Sequence, residues 1–245
     1  MTTAANKHTS YFELLDALKH PGCPVCRLAE KTVTQFFDNL IYENVNDPGI
    51  RQSFRAAYGF CNTHAWQLVQ AGGTSGIAIL YREAVQDMLE AIDKANFDPA
   101  QGGGLRWLQQ ALGNGKASDA TAELVQQLTP QVDCPACQLR NDRAGMMIDV
   151  LLEHLLEDEL SGAFESSSGL CLPHFRTALR RVQDATSFQR LAETQLSILR
   201  HVKSELDELI RKYDYRFAQE PVGQEADAWM RAVALIASEE GYGCP

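Results

Sequence analysis

Six cysteines and two histidines follow a spacing that occurs twice in the chain. Each occurrence has a Cys-Pro-x-Cys pair followed by a Cys-x-x-His pair. The stretch between the two pairs is residues 27–60 in the first occurrence and 138–170 in the second. The first set is Cys23, Cys26, Cys61 and His64, and the second is Cys134, Cys137, Cys171 and His174. The intervening stretches differ by one residue in length. Such agreement indicates an internal duplication.

Three thiols and one imidazole in each set form a ligand combination typical of a tetrahedral structural zinc site. The two-residue spacer lets both side chains of a pair reach the same ion. Pro24, Pro135 and Pro173 lie where proline favours the first turn of a helix. We therefore expect the ligands at helix N-termini, where backbone N–H groups and the helix dipole stabilise thiolates. The predicted metal ligands are Cys23, Cys26, Cys61, His64, Cys134, Cys137, Cys171 and His174.

The spacing favours one metal within each half of the chain, because the two pairs are equally far apart in both halves. It leaves open an exchange in which a pair from one half joins a pair from the other. Both groupings use the same eight residues.

Zinc at two sites is the favoured cofactor, and two [4Fe–4S] clusters are the alternative. The clusters are less favoured because three cysteines and one histidine bind such a cluster less commonly than four cysteines do. A third hypothesis is a thiol oxidoreductase that uses Cys23 with Cys26 and Cys134 with Cys137. A thioredoxin-like dithiol normally lies in a βαβ unit, and the sequence shows no convincing strand alternation.

Apolar residues recur at helical spacing through both halves, which predicts an all-α helical bundle built from two duplicated, metal-pinned halves. The expected domains are 1–129 and 130–245, each with one Cys3His site. Long amphipathic helices close each half, with expected stripes around Leu80, Met88 and Ile92 and around Leu191, Ile198 and Val202. A final helix with Trp229 and Val233 is expected to dock its apolar face on the bundle, and a further helix is expected around Trp107.

The composition excludes several classes of protein. Lys and Arg number 22 against 32 Asp and Glu, a formal net charge of −10, which argues against broad nucleic-acid binding. No apolar run approaches the length of about 20 residues that spans a bilayer. The polar N-terminus lacks the apolar core of a signal peptide, so we expect the protein to be cytoplasmic. Disulfides are uncommon in that compartment.

Two residues of reactive type fall outside the repeated pattern. His154 lies on an acidic helix beside Glu157, where we expect a partly buried, hydrogen-bonded side chain rather than a metal ligand or an acid–base group. Cys244, in the tail of the chain, has no counterpart in the repeat.

The chain resembles a family of bacterial and archaeal proteins known only as a domain of unknown function. The residues that carry the resemblance include Cys23-Pro24-Val25-Cys26-Arg27-Leu28, Glu43-Asn44-Val45-Asn46-Asp47-Pro48-Gly49, Gly59-Phe60-Cys61 with His64-Ala65-Trp66, and Glu225-Ala226-Asp227-Ala228-Trp229. The resemblance extends over nearly the whole chain. It implies a helical, cysteine-rich protein and carries no activity with it.

A closed site with four protein ligands has no open position for a substrate or a water molecule. The sequence therefore predicts a metal-stabilised binding or adaptor module with an unknown protein partner. The iron–sulfur alternative would give an electron-transfer, redox-sensing or enzyme-subunit role.

Overall fold

The computed structural model describes residues 8–95, 119–217, 219–239 and 241–242, and these residues form helices and turns without strands. The predicted all-α class is confirmed. The helix expected around Trp107 and the tail residue Cys244 lie outside the described residues. The helices are α1 (Thr9–Leu18), α2 (Pro24–Asn39), α3 (Pro48–Ala56), α4 (Asn62–Ala71), α5 (Thr74–Lys94), α6 (Asp119–Gln127), α7 (Pro135–His154), α8 (Asp158–Glu165), α9 (Leu172–Arg181), α10 (Ala185–Lys212) and α11 (Ala228–Ala237).

Short irregular elements extend two of these helices. A π-helical turn, Leu40–Asn44, continues α2, and a 3-10 turn, Gln224–Asp227, leads into α11. The Asp47 side chain accepts a hydrogen bond of 2.9 Å from the N–H of Ile50 and so caps the N-terminus of α3. None of the helices in the described residues is long and apolar enough to cross a membrane.

The chain divides into two compact units. Unit 1 comprises the chain up to Thr34 and from Leu139 onward, and unit 2 is Gln35–Gln138. These bounds differ from the expected halves 1–129 and 130–245, because the chain leaves unit 1 within α2 and returns to it within α7. The first unit is therefore built from both halves of the duplicated sequence.

Unit 1 has a core of aliphatic and aromatic side chains from α1, α7, α8 and α10. Three cysteines lie within this core. Its members include Tyr11, Leu14, Cys23, Cys26, Met147, Ile148, Leu151, Leu155, Leu160, Phe164, Cys171 and Leu191. Burial of these apolar side chains stabilises the unit and also removes the three thiols from water.

Unit 2 has an aromatic core. The Phe60 ring makes edge contacts with Phe37 and Phe54, each with ring centroids 5.2 Å apart, and Phe54 contacts Tyr81 at 5.1 Å. Phe37 also packs edge-on against the imidazole of His64, with centroids 6.2 Å apart. Each such pair adds to the stabilisation from burial alone.

The apolar stripe of α5 is only partly buried, which corrects the expectation from its periodicity. Leu80 is buried, whereas Met88 and Ile92 are 43% and 51% exposed. The buried residues of the helix end at Ala84, so the C-terminal half of the stripe remains in water. On α10 the expected core residues Leu191, Ile198 and Val202 are buried.

The final helix, α11, docks with the opposite face from the one expected. Ala228 and Leu235 are buried, and the larger apolar side chains face solvent. The exposed residues are Trp229 at 56%, Met230 at 51%, Val233 at 58% and Ile236 at 61%. The small residue at the start of the helix permits the close approach that a tryptophan would prevent.

Candidate metal centres

The eight predicted ligands gather into two groups of four. In site 1, Cys23 and Cys26 meet Cys171 and His174; in site 2, Cys61 and His64 meet Cys134 and Cys137. The ligand atoms of each group all lie within 4.8 Å of one another. Site 1 belongs to unit 1 and site 2 to unit 2.

This grouping exchanges the pairs between the halves of the sequence and corrects the expectation of one complete set within each half. The first Cys-x-x-Cys lies with the second Cys-x-x-His, and the first Cys-x-x-His lies with the second Cys-x-x-Cys. The physical reason is packing, since the start of α2 and the start of α9 are both held in the core of unit 1.

All four pairs have the same local structure at the beginning of a helix. The first ligand directly precedes the helix, and the second lies in its first turn. The carbonyl of each first ligand, namely Cys23, Cys61, Cys134 and Cys171, accepts a hydrogen bond of 2.8–3.1 Å from the N–H four residues later. The expected position of the ligands at helix N-termini is thus found at all four pairs, and it places the thiols where the helix dipole favours an anion.

A glycine with a left-handed backbone stands two residues before each Cys-x-x-His pair. Gly59 has a φ of 97° and Gly169 a φ of 74°. Such values are costly for any residue with a Cβ atom. The turn aims the following cysteine into its site, which accounts for the recurrence of glycine in both halves.

Gly169→Ala is expected to destabilise the protein by about 1–2 kcal/mol, the cost of a left-handed alanine. The added Cβ would also lie 3.0 Å from Ile198 Cδ1. Gly162→Ala is the matched control, because Gly162 lies within α8 with open space around the added atom, so this change is expected to stabilise by about 0.5–1 kcal/mol. Urea unfolding measures both, and equal effects of the two variants would contradict the role of the turn.

Site 1 is enclosed by protein. Cys171 is fully buried, and Cys23, Cys26 and His174 are exposed by no more than 5%. His174 Nδ1 lies 3.2 Å from Cys171 Sγ, 3.4 Å from Cys26 Sγ and 3.5 Å from Cys23 Sγ, and the sulfur atoms of Cys26 and Cys171 are 3.6 Å apart. One imidazole nitrogen therefore faces all three sulfur atoms.

The proximity of the three thiols opposes their simultaneous ionisation. Burial raises the pKa of Cys23 to about 12. Hydrogen bonds with Cys171 and Cys23, together with burial, raise the pKa of Cys26. The pKa of Cys171 is lowered, because its thiolate accepts hydrogen bonds from the other two thiols. A cation among the sulfur atoms would stabilise three thiolates together.

The residues at positions 238, 239 and 242 contact three of the four site 1 residues. Ser238 Oγ donates to Cys171 Sγ at 3.4 Å, the N–H of Cys23 donates to Glu239 Oε1 at 3.0 Å, and His174 Nε2 lies 2.9 Å from the hydroxyl of Tyr242. Burial, and after it the charge of Cys26, raise the pKa of Tyr242, which keeps its hydroxyl protonated. These three residues could not be recognised from the sequence, because they lie outside the repeat and match no motif.

Site 2 has similar internal distances and a different environment. His64 Nδ1 lies 3.3 Å from the sulfur atoms of Cys61 and Cys137 and 3.6 Å from that of Cys134, and the Cys61 and Cys137 sulfur atoms are 3.6 Å apart. His64 is buried, whereas the three cysteines are each partly exposed. Burial, and then the charge of Cys134, raise the pKa of Cys137 to about 12.

His154 joins neither group. Its Nδ1 lies 2.6 Å from Glu157 Oε1, its ring packs edge-on against Tyr11, and it is 8% exposed. The expected hydrogen-bonded histidine is confirmed, and it is buried rather than partly buried. The six cysteines of the repeat are all free thiols, with no disulfide among the cysteines that the structure describes.

Comparison with known proteins identifies relatives without a described activity. The model of a family of unknown function, DUF6062, matches residues 8–241. An uncharacterized 23.9 kDa protein in the xynA 3′ region of Caldicellulosiruptor sp. (strain Rt8B.4) is 33% identical over 73 residues, which span 30% of this chain and 36% of that protein. No solved structure matches.

Proposed function

Since the chain belongs to the DUF6062 family of unknown function, we propose its function from geometry: a helical protein that holds two structural divalent metal ions, preferably zinc, and acts as a binding or adaptor module. The observation that carries the proposal is the presence of two complete Cys3His ligand sets, each with its four ligand atoms within 4.8 Å of one another. Each set brings together two chain segments that are distant in sequence.

The distances within both sites suit one tetrahedral ion. Zinc bonds of about 2.3 Å to sulfur and about 2.0–2.1 Å to nitrogen place two sulfur ligands about 3.8 Å apart, and a sulfur and a nitrogen about 3.6 Å apart. The sulfur atoms of Cys26 and Cys171 in site 1 and of Cys61 and Cys137 in site 2 are 3.6 Å apart, and the sulfur–nitrogen distances run from 3.2 to 3.6 Å. Small movements of the side chains would bring the ligands onto a zinc ion.

The same distances favour one ion over an iron–sulfur cluster. Each protein ligand of a [4Fe–4S] cluster binds a different iron atom, so its four ligand atoms must lie farther apart than the ligands of one ion. A thiol oxidoreductase needs an accessible thiolate. The burial of Cys23, Cys26 and Cys171 opposes that role at site 1.

A binding role is supported by the closed ligand sets and by the exposed apolar faces. Four protein ligands leave no open coordination position for catalysis. The large apolar residues of α11 and of the C-terminal half of α5 face solvent, and exposed apolar clusters are typical of interaction surfaces. A cytoplasmic location agrees with six thiols kept reduced.

Metal analysis of the purified chain, combined with cysteine alkylation, tests this proposal. We expect about two zinc ions per chain, no visible absorption, and six cysteines that react only after chelation. A brown protein that contains iron and sulfide would support the iron–sulfur alternative instead. Thiols that react in the native, metal-free protein would support the oxidoreductase.

A further inference from the structure

Arg140 is a buried cation without a carboxylate partner. Its side chain is 1% exposed, and its Nε atom has no hydrogen-bond partner. No carboxylate forms an ion pair with it among residues 8–95, 119–217, 219–239 and 241–242. Because a buried charge is unfavourable unless it is compensated, a negative group is needed nearby.

Tyr242 connects this arginine to site 1. The guanidinium carbon lies over the Tyr242 ring, 4.5 Å from its centroid. The Tyr242 ring also packs edge-on against the imidazole of His174, with ring centroids 5.1 Å apart. Arg140, Tyr242 and the site 1 ligands all belong to unit 1.

Site 1 with a divalent ion bound would supply the negative charge that compensates Arg140. A divalent ion with three thiolates and a neutral imidazole carries one net negative charge. Glu239, whose carboxylate accepts the N–H of Cys23, is partly exposed to water, so it needs no buried cation. A permanent guanidinium charge in a water-excluded region favours a divalent ion over a trivalent one, whose complex would be neutral.

The hydrogen bond to Tyr242 defines which nitrogen of His174 binds the ion. With Nδ1 directed at the sulfur atoms and Nε2 at the hydroxyl, the neutral imidazole carries its proton on Nε2 and donates it to Tyr242. Such contacts behind a metal ligand orient it and typically change metal affinity by about 10–100-fold.

We propose that Arg140, held by Tyr242, is the buried counter-ion of a divalent metal ion in site 1 and makes this site bind more tightly than site 2. The inference rests on the proposed metal binding. Arg140 stands three residues after Cys137, and the matching position in the first half, three residues after Cys26, is Ala29. The cation therefore occurs in only one half of the repeat. At site 2, where the cysteines are partly exposed, water rather than a buried cation screens the negative charge of the thiolates.

The test is cadmium NMR of the full chain loaded with a spin-active cadmium isotope, together with zinc release to a chelator. Two signals are expected. Arg140→Met and Tyr242→Phe should both shift the signal of the slowly released ion and speed its release by about 10–100-fold. Arg140→Lys, which keeps the charge, should restore most of the retention.

Arg143→Met is the matched control. Arg143 lies on the same helix, and it already forms an ion pair with Glu13. This variant should leave both cadmium signals and both release rates unchanged. A shift of the other signal by Arg140→Met, or equal effects of Arg140→Lys and Arg140→Met, would overturn the counter-ion role. Failure of the wild-type chain to bind cadmium or zinc would instead overturn the proposed function.

Discussion

Cys171→Ser is expected to release one of two zinc ions and to expose Cys23 and Cys26 to alkylation, while Cys134 and Cys137 remain protected. Serine is a poor zinc ligand, because its hydroxyl stays protonated where a cysteine thiol ionises. The loss of one ligand opens site 1, whose other cysteines are Cys23 and Cys26. Native alkylation followed by peptide mass spectrometry measures the change at each cysteine.

The mirrored variant Cys137→Ser provides the control. It should expose Cys61 and Cys134 and leave Cys23 and Cys26 unreactive. Grouping within each half of the sequence would give the reverse pattern, with Cys134 and Cys137 exposed by the loss of Cys171. The protection pattern therefore separates the two groupings even where a variant weakens its own unit.

Removal of both metal ions is expected to unfold most of the helical structure. Structural zinc sites contribute about 10–16 kcal/mol of apparent binding free energy, and domains are stable by only about 5–15 kcal/mol. In site 1 the thiols lie within the apolar core, so an unoccupied cluster would also leave buried polar groups poorly satisfied. Circular dichroism during titration with a strong zinc chelator measures the loss.

Readdition of zinc should restore the helical signal, whereas magnesium, which prefers oxygen ligands, should not. The same chelator saturated with zinc beforehand serves as the control for direct effects on the protein. A metal-free chain that keeps its full helical signal and its melting temperature would contradict a structural role for the ions.

The ligand residues and their local structure could be predicted from the sequence. Ligand spacing is a local property, and proline inside a Cys-x-x-Cys or Cys-x-x-His pair already indicates the first turn of a helix. The helical period of the apolar residues likewise gives the all-α class. These features depend on neighbours along the chain, and all four pairs begin a helix, including Cys61 and His64, whose pair contains no proline.

The grouping of the pairs could not be predicted, because loop closure favours the short stretches within each half, residues 27–60 and 138–170, over the longer loops that the exchanged grouping closes. Packing of the starts of α2 and α9 into one core decides it. The same limit applies to α11, since periodicity identifies an apolar face but not whether another helix covers it. Trp229 and Val233 accordingly face solvent.

Arg140 and Tyr242 also lay beyond prediction from the sequence. An arginine within a helix ordinarily lies at the surface. Its burial follows from its position against a tyrosine that lies 102 residues later in the chain. The relation between the two depends on tertiary structure alone.

The ligand exchange places the two sites one inside the other along the chain. Site 2 closes between residues 61 and 137, and site 1 joins residues on either side of that stretch, 145 to 151 positions apart. Closing the inner loop first roughly halves the length that remains for the outer loop, which lowers its closure cost by about 0.6 kcal/mol. As a chain emerges from the ribosome, it also completes site 2 before His174 has been synthesised. Both effects give an order of assembly, in which the buried site 1 and its contacts with Ser238, Glu239 and Tyr242 form last.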